Sequence, residues 1–188
     1  ENPDFPETIL MVATDRVSAF DHILAPEIPG KGIELTAITN WWLERLPVPN
    51  QTTDHEVPEE FQGRAVIAKK LKMFPVECVV RGYLAGSGFK EYQQTGAISG
   101  VKLPEGLQLG DKLPEPIYTP AFKADQGESD YNISFEQTVE LIGKAHAEQI
   151  KDLSLKIFEI ASELALRAGI IIADTKFEFG LDGETVTL

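Results

Sequence analysis

The chain has 188 residues and a formal net charge of −13, from 17 Lys and Arg against 30 Asp and Glu. This acidic balance argues against a nucleic-acid binder and against a membrane-surface protein that relies on a polybasic patch. No apolar run approaches the roughly 18 residues that a membrane-spanning helix needs. Cys78 is the only cysteine, which excludes a disulfide framework. We therefore expect a cytoplasmic protein with no nucleic-acid partner and no membrane partner.

The two ends of the sequence suggest a segment of a longer protein. Residue Glu1 is not a methionine, and an apolar run begins soon after it, at Ile9. At the other end, residues 184–188 have a strand-like pattern that stops at Leu188 without a polar tail. We expect the terminal strands to lack pairing neighbours and the segment alone to fold at best marginally.

The first half of the sequence predicts strands around one helix. The expected elements are a buried strand at 9–13, an amphipathic helix from Ile33 to Leu46 with a stripe that includes Leu35, Ile38 and Trp42, and strands at 64–70 and 76–81 separated by residues 71–75. A long Gly- and Pro-rich connection follows from Gly82 to Gln126, with a short helix near 87–95. Long connections inside compact domains are usually functional.

The last third carries the strongest periodic signal. Ser134 and Gln137 have capping-box spacing, and apolar residues then recur every three or four positions up to Gly169, with Gly143 as a candidate break. The remaining expected elements are an apolar strand at 170–173, a polar strand at 174–180 that directs Phe177 and Phe179 into the core, a turn at 182–183 and a strand at 184–188. Strands and helices without a regular βαβ repeat predict an α+β fold.

Three segments carry candidate site chemistry. Alternation along a strand puts Asp174, Lys176 and Glu178 on one face, where two carboxylates could hold Mg²⁺ beside phosphate oxygens or simply form a solvated charge ladder. A second segment, residues 81–88, places Arg81 before a glycine-flanked serine, which suits a phosphate but also an ordinary turn. The third, residues 15–21, contains polar groups just past a buried strand.

Lysines also cluster in this acidic chain. Lys69, Lys70 and Lys72 lie at the end of a predicted strand, where a lysine can neutralise nucleotide phosphates or can form a strand-edge charge pair. Lys123 and Asp130 form a second cluster in the long connection.

Taken together, four stretches resemble one family, SAICAR synthetase (phosphoribosylaminoimidazole-succinocarboxamide synthase). The stretches are 12–21 (VATDRVSAFD), 74–87 (FPVECVVRGYLAGS), 119–128 (TPAFKADQGE) and 171–180 (IIADTKFEFG). The resemblance implies a two-lobed α+β fold with a kinase-like or ATP-grasp-like nucleotide cleft, formed by an ATP-binding lobe over residues 1–80 and a larger lobe over residues 81–188. It also implies an ATP- and Mg²⁺-dependent ligase of purine biosynthesis that joins L-aspartate to carboxyaminoimidazole ribotide (CAIR), giving SAICAR, ADP and phosphate. A homo-oligomer is left open.

The same resemblance assigns roles to individual residues. The catalytic residues are Lys123, Asp174 and Lys176. The residues expected to bind CAIR or aspartate are Asp15, Arg16, Ser18, Arg81, Gly86, Ser87 and Asp130. The residues expected to bind ATP are Lys69, Lys70, Met73, Glu77, Val79 and Glu178, and the metal ligands are Glu178 and Asp174.

The sequence departs from the family pattern in three places. The family's N-terminal glycine-rich segment would precede Glu1, and its C-terminal segment, with a metal carboxylate and a phosphate-binding Arg, would follow Leu188. We therefore expect the segment alone to make no SAICAR. Within the chain, Ser129 and Tyr131 stand where the family usually has His and Glu. Two other functions stay open on the sequence: a small-molecule kinase and a non-catalytic nucleotide-binding module.

Overall fold

The computed structural model describes residues 6–19, 22–124 and 130–188. Apart from Thr187, the chain divides into two compact units between Leu71 and Lys72. A lobe boundary between residues 80 and 81, as expected from the resemblance, would fall inside a continuous strand of the second unit. Among the described residues, no helix combines the length and the apolar character that crossing a membrane requires.

The first unit contains two pairs of antiparallel strands and packs a helix beside one of the pairs. Its elements are β1 (Thr8–Val12), β2 (Ser18–Ala19), β3 (His22–Ile23), α1 (Lys31–Leu43), a 3-10 helix (Glu59–Phe61) and β4 (Ala65–Lys69). Strands β1 and β4 are antiparallel, with Thr8 opposite Lys69 and Val12 opposite Ala65. The strands expected at 9–13 and 64–70 are confirmed within a residue.

Helix α1 does not have the apolar stripe that we expected. It buries the small residues Gly32 and Thr36, whereas Leu35 and Ile38 are 48% and 57% exposed. A Cβ at position 32 would lie 2.5 Å from the carbonyl oxygen of Ala13, just past β1. The helix backbone thus comes so close to the chain after β1 that only small side chains fit there, and the amphipathic interpretation was wrong.

The second unit is built on one antiparallel sheet. Its elements are β5 (Lys72–Tyr83), α2 (Gly86–Thr95), β6 (Ala97–Ile98), β7 (Val101–Lys102), β8 (Lys112–Tyr118), β9 (Ala121–Phe122), β10 (Tyr131–Asn132), α3 (Phe135–Ile142), α4 (Lys144–Arg167), β11 (Asp174–Asp182) and β12 (Thr185–Thr187). The sheet order is β10, β9, β5, β11, β12, and β8 also pairs with β5. The registers of β5 with β8, β9 and β11 are antiparallel, which confirms the α+β class.

Three sequence expectations for this unit were wrong. Strand β5 runs without a break from Lys72, so residues 71–75 do not separate two strands. The expected short helix near 87–95 is confirmed as α2, but the rest of the expected connection contains strands β6 to β9. Strand β8 was missed because Pro114 and Pro116 lie within it. Residues 170–173 form no strand, and Ile170 and Ile171 are about 60% exposed, because these residues only lead from α4 to β11.

Helices α3 and α4 follow the sequence pattern closely. The Ser134 hydroxyl accepts from the backbone N–H of Gln137 at 3.2 Å, and the Gln137 side chain accepts from the backbone N–H of Ser134 at 2.8 Å, which confirms the capping box. Gly143 separates the two helices at a positive φ of 82°. The face of α4 that packs against the sheet is buried, and it contains Ala147, Ile150, Ile157, Phe158 and Ala161.

The close approach at Gly32 gives the first prediction. Replacing glycine by alanine inside a helix ordinarily stabilises it by about 1 kcal/mol. At Gly32 we expect the opposite sign, a loss of about 1–3 kcal/mol, because the added methyl group would meet the carbonyl oxygen of Ala13. Thermal or urea unfolding of Gly32→Ala measures the change. Thr39→Ala, at an exposed position of the same helix, is the control; a stability gain in both variants would contradict the close approach.

Candidate active site

The candidate site is one face of the strand pair β5 and β11. The register sets Asp174 opposite Arg81, Lys176 opposite Val79 and Glu178 opposite Glu77. Residues opposite each other in an antiparallel pair project to the same side of the sheet. The alternate residues of β5 face the core and are fully buried: Val76, Cys78 and Val80. Strand alternation therefore sorts the charged side chains onto a single face, as expected for Asp174, Lys176 and Glu178.

Arg81 lies on this face and is buried. Its side chain is only 6% exposed, and its Nη1 donates to Asp174 at 3.1 Å. Its Nε donates to Oγ1 of Thr119 at 3.1 Å, and Nη2 donates to the Ser87 hydroxyl at 3.4 Å. Burial lowers the pKa of Arg81 and the charge of Asp174 opposes this shift, but an arginine stays protonated at neutral pH. A buried, charged guanidinium held on three sides can bind an anion with little rearrangement.

Helix α2 begins beside Arg81. Gly86 starts the helix with a φ of +55°, Ser87 follows in the first turn, and the preceding Ala85 offers no side-chain cap. A Cβ on Gly88 would lie 3.2 Å from Cδ and Nε of Arg81, so a glycine here lets the helix pack directly on the arginine. Arg81, Ser87 and the first backbone N–H groups of α2 thus lie together, as the glycine-flanked motif suggested.

The other half of the site is a network of ion pairs. Lys176 contacts Glu77 and, at 3.5 Å, Glu178; Lys123 contacts the other oxygen of Glu178 at 2.5 Å. Burial raises the pKa of Glu178, but the hydrogen bond and charge of Lys123, with those of Lys176, outweigh it and lower the pKa. Burial lowers the pKa of Lys176, but its hydrogen bond to Glu77 and the charges of Glu77 and Glu178 raise it overall. Both shifts favour the charged forms of Glu178 and Lys176 at neutral pH.

The carboxylates on this face limit the kind of metal that could bind. Within residues 6–19, 22–124 and 130–188, no three His, Cys, Asp or Glu side chains come together as a metal site. Asp174 pairs with Arg81, and Glu178 pairs with two lysines. One or two carboxylates suit Mg²⁺ that takes its other ligands from phosphates and water, and they do not suit a metal held by protein alone.

Residues expected to bind nucleotide lie along β5 and at the end of β4. In the second unit, Met73 is 49% exposed, Glu77 is buried against Lys176, and Val79 is half-buried. In the first unit, Lys69 ends β4 and Lys70 follows it; their backbone N–H groups donate to carbonyl oxygens of Gln51 and Glu7.

Asp15 has a structural role within the first unit. Its two carboxylate oxygens accept from the backbone N–H groups of Gly32 and Gly30, each at 2.9 Å, at the start of α1. These two hydrogen bonds lower the pKa of Asp15. Of its neighbours in the motif, Arg16 donates to the Thr14 hydroxyl at 3.5 Å, and Ser18 is exposed in β2.

Two further parts of the family-like stretches are only partly described. Asp130 accepts from the backbone N–H of Ala124 at 2.9 Å, and Tyr131 begins β10. Ser129, the rest of 125–129, and residues 20–21 lie outside the described residues.

Sequence reasoning missed two buried or half-buried anchors around this face. Thr119 accepts from Arg81, as described above. Glu91 of α2 accepts from the backbone N–H of Ser99 at 2.9 Å and from the Asn132 amide at 2.5 Å, tying α2 to β10. The resemblance of 119–128 indicated that this stretch matters, but no local pattern singles out Thr119 or Glu91.

Comparisons with known proteins identify the family of this chain. A family model described as SAICAR synthetase matches residues 2–188. The phosphoribosylaminoimidazole-succinocarboxamide synthase of Leifsonia xyli subsp. xyli is 52% identical over an alignment that covers 95% of this chain and 63% of that protein. The chain thus spans less than two thirds of the length of this curated relative.

Solved structures give the same relationship. SAICAR synthase from Saccharomyces cerevisiae, solved in complex with SAICAR, superposes with a TM-score of 0.86 at 37% identity, covering 96% of this chain and 66% of that one. A SAICAR synthetase in complex with ADP superposes with a TM-score of 0.75 at 29% identity, covering 96% of this chain and 72% of that one. Because the family match extends over nearly the whole sequence and includes both strands of the site, the chain belongs to the SAICAR synthetase family.

Proposed function

We propose that the protein containing this chain joins L-aspartate to CAIR in an ATP-dependent reaction of purine biosynthesis, giving SAICAR, ADP and phosphate. The observation that carries the proposal is the polar face of β5 and β11, where a buried Arg81 lies beside paired lysines and carboxylates. The family supports it, because relatives bear the name of this enzyme and were solved with SAICAR or with ADP.

The proposed chemistry requires this mixture of charges. A carboxylate is a poor acyl donor, so ATP first transfers its terminal phosphoryl group to the CAIR carboxylate, giving an acyl phosphate and ADP. The amine of aspartate then attacks the acyl carbon, an amide bond forms, and phosphate leaves with the electron pair of the broken bond. Both steps concentrate negative charge, and positioned cations lower their barriers by neutralising it.

In this proposal Arg81, Ser87 and the backbone at Gly86 bind the phosphate of CAIR. The guanidinium supplies paired N–H donors, the hydroxyl supplies another, and the start of α2 adds its partial positive charge. The support is geometric, since Nη2 of Arg81 lies 3.4 Å from the Ser87 hydroxyl and Gly88 permits the close contact with the helix.

The network around Glu178 is the proposed place of phosphoryl transfer. Glu178, with Asp174 beside Arg81, would hold Mg²⁺, which supplies charge neutralisation at the phosphates when bound. Lys123 and Lys176, now paired with Glu178, would contact the transferring phosphoryl group and balance its charge.

The remaining assignments belong to the same proposal. Met73, Glu77 and Val79 would bind ATP along β5, and Lys69 and Lys70 would contact its phosphates. Substrate contacts of the aspartate and ribotide region would come from Asp15, Arg16, Ser18 and Asp130. Cytoplasmic location is proposed from the composition, and the division into an ATP-binding lobe at 1–80 and a larger lobe at 81–188 is proposed on the same resemblance, which leaves a homo-oligomer open.

The direct test is SAICAR formation by the full-length protein, with each substrate omitted in turn. We expect phosphate release to require ATP, CAIR and aspartate together. Phosphate transfer to a hydroxyl acceptor would favour a kinase instead. ATP binding without any turnover would favour a non-catalytic nucleotide-binding module.

Replacing Glu178 tests the phosphoryl-transfer region. Glu178→Gln keeps the size of the side chain but removes the charge that pairs with Lys123 and Lys176. We expect kcat/KM to fall by about 10²-fold or more, with a stronger requirement for Mg²⁺. Glu163→Gln, the same change on an exposed ion pair of α4, is the control. Unchanged turnover at limiting Mg²⁺ would contradict the role of Glu178.

Replacing Arg81 tests the phosphate site. Lysine keeps the charge but cannot form two parallel hydrogen bonds. Steady-state kinetics of Arg81→Lys should show the KM for CAIR raised by about tenfold or more, with a much smaller change for ATP. The matched control is Arg167→Lys, at an exposed arginine of α4. Equal effects on both substrates in a folded protein would indicate a structural arginine.

A further inference from the structure

A buried threonine lies directly behind the Arg81 guanidinium. Thr119 follows β8 and has no exposed surface. Its hydroxyl accepts from Nε of Arg81 at 3.1 Å and donates to the carbonyl oxygen of Val79 at 3.3 Å. Its backbone N–H donates to the same carbonyl at 2.8 Å. The hydroxyl is therefore fixed to the backbone of β5, two residues away from the arginine that it contacts.

The three anchors of Arg81 differ in their exposure. The Asp174 side chain is 46% exposed and Ser87 is exposed, so water can replace either contact. Thr119 is fully buried and cannot be replaced by water without opening the sheet. Among these three, Thr119 is the anchor that fixes the plane of the guanidinium.

The hydrogen bonds to these three anchors leave two N–H donors of Arg81 for another ligand. An arginine side chain has five N–H groups, one on Nε and two on each terminal nitrogen. Within the described part of the chain, Thr119, Asp174 and Ser87 use one on each nitrogen, which leaves one on Nη1 and one on Nη2. Donors on two adjacent nitrogens match the two oxygens of a phosphate.

We propose that Thr119 is a positioning residue that aims the Nη1 and Nη2 donors of Arg81 at the phosphate of CAIR. The inference rests on the proposed function for the identity of that phosphate. If the hydroxyl is removed, the Nε donor is left buried without an acceptor, a costly arrangement that the guanidinium relieves by rotating. Rotation moves the two remaining donors away from the phosphate.

The experiment compares Thr119→Val with Thr119→Ser in the full-length enzyme. Valine keeps the shape and removes the hydroxyl, whereas serine keeps the hydroxyl. We expect Thr119→Val to raise the KM for CAIR by about tenfold or more, the effect of losing one hydrogen bond to a charged group. The kcat and the KM for ATP should change by no more than about twofold, because binding alone is affected. Thr119→Ser should restore the KM for CAIR.

Three results would overturn the positioning role. They are an unchanged KM for CAIR in Thr119→Val, the same increase in Thr119→Ser, and an equal rise in both KM values together with a lower melting temperature. If Thr119→Val does not fold, Thr119→Ala replaces it in the comparison with Thr119→Ser. These two variants also differ by one hydroxyl group.

A measurement without turnover separates this inference from the proposed function. The proton on Nε of Arg81 should exchange with water faster in Thr119→Val than in the wild type. Its ¹⁵N NMR signal, which is assigned by its loss in Arg81→Lys, reports this exchange. Inorganic phosphate should also bind more weakly to Thr119→Val. If the wild-type enzyme makes no SAICAR, the proposed function fails while this comparison still decides the role of Thr119. Unchanged exchange in Thr119→Val would overturn it.

Discussion

The antiparallel register of β5 with β11 is the constraint on which the candidate site depends. It sets Asp174 opposite Arg81 and Glu178 opposite Glu77, so that charges far apart in the sequence face each other on one side of the sheet. A slip of one residue would exchange this face with the core face of β5, which is fully buried at Val76 and Val80. The hydrophobic contacts of the core therefore hold the charged groups in place.

Burial explains why the charges on this face are paired. An isolated ion costs several kcal/mol to remove from water, so a cation as buried as Arg81 or an anion as buried as Glu77 needs a partner. The ion pairs join three cations, Arg81, Lys123 and Lys176, to three carboxylates, Glu77, Asp174 and Glu178, and their formal charges cancel. The face is thus formally neutral in a protein whose net charge is −13. An anionic ligand that approaches this face would meet less repulsion than the net charge alone suggests.

Small residues allow close helix packing in both units, and hydrogen bonds to the backbone hold the start of one helix. Gly88 lets α2 pack on Arg81, and Gly32 lets α1 pack on the chain after β1. Asp15 then holds the start of α1 through two backbone N–H groups. A residue in a stretch that resembles the family can therefore support the start of a helix.

The sequence alone determined the α+β class, the capping box at Ser134, and the shared face of Asp174, Lys176 and Glu178. These follow from periodicity and local hydrogen bonding, which depend on neighbours in the chain. It also identified the family through stretches whose residue order is specific. It predicted helix α1 but not which of its residues are buried, because the helix backbone approaches the chain closely at Gly32. It missed β8, because prolines lie inside that strand.

Only the tertiary structure decided which charges pair and which side chains support them. The ion pair of Arg81 with Asp174 joins residues 93 positions apart, and the contact of Arg81 with Thr119 joins residues 38 apart. Such pairs depend on strand register and on the loop after β8, and neither leaves a local signal around residue 119. Thr119 therefore has a visible role only once β5 and β8 are paired, because its hydroxyl matters through the arginine that the sheet places beside it.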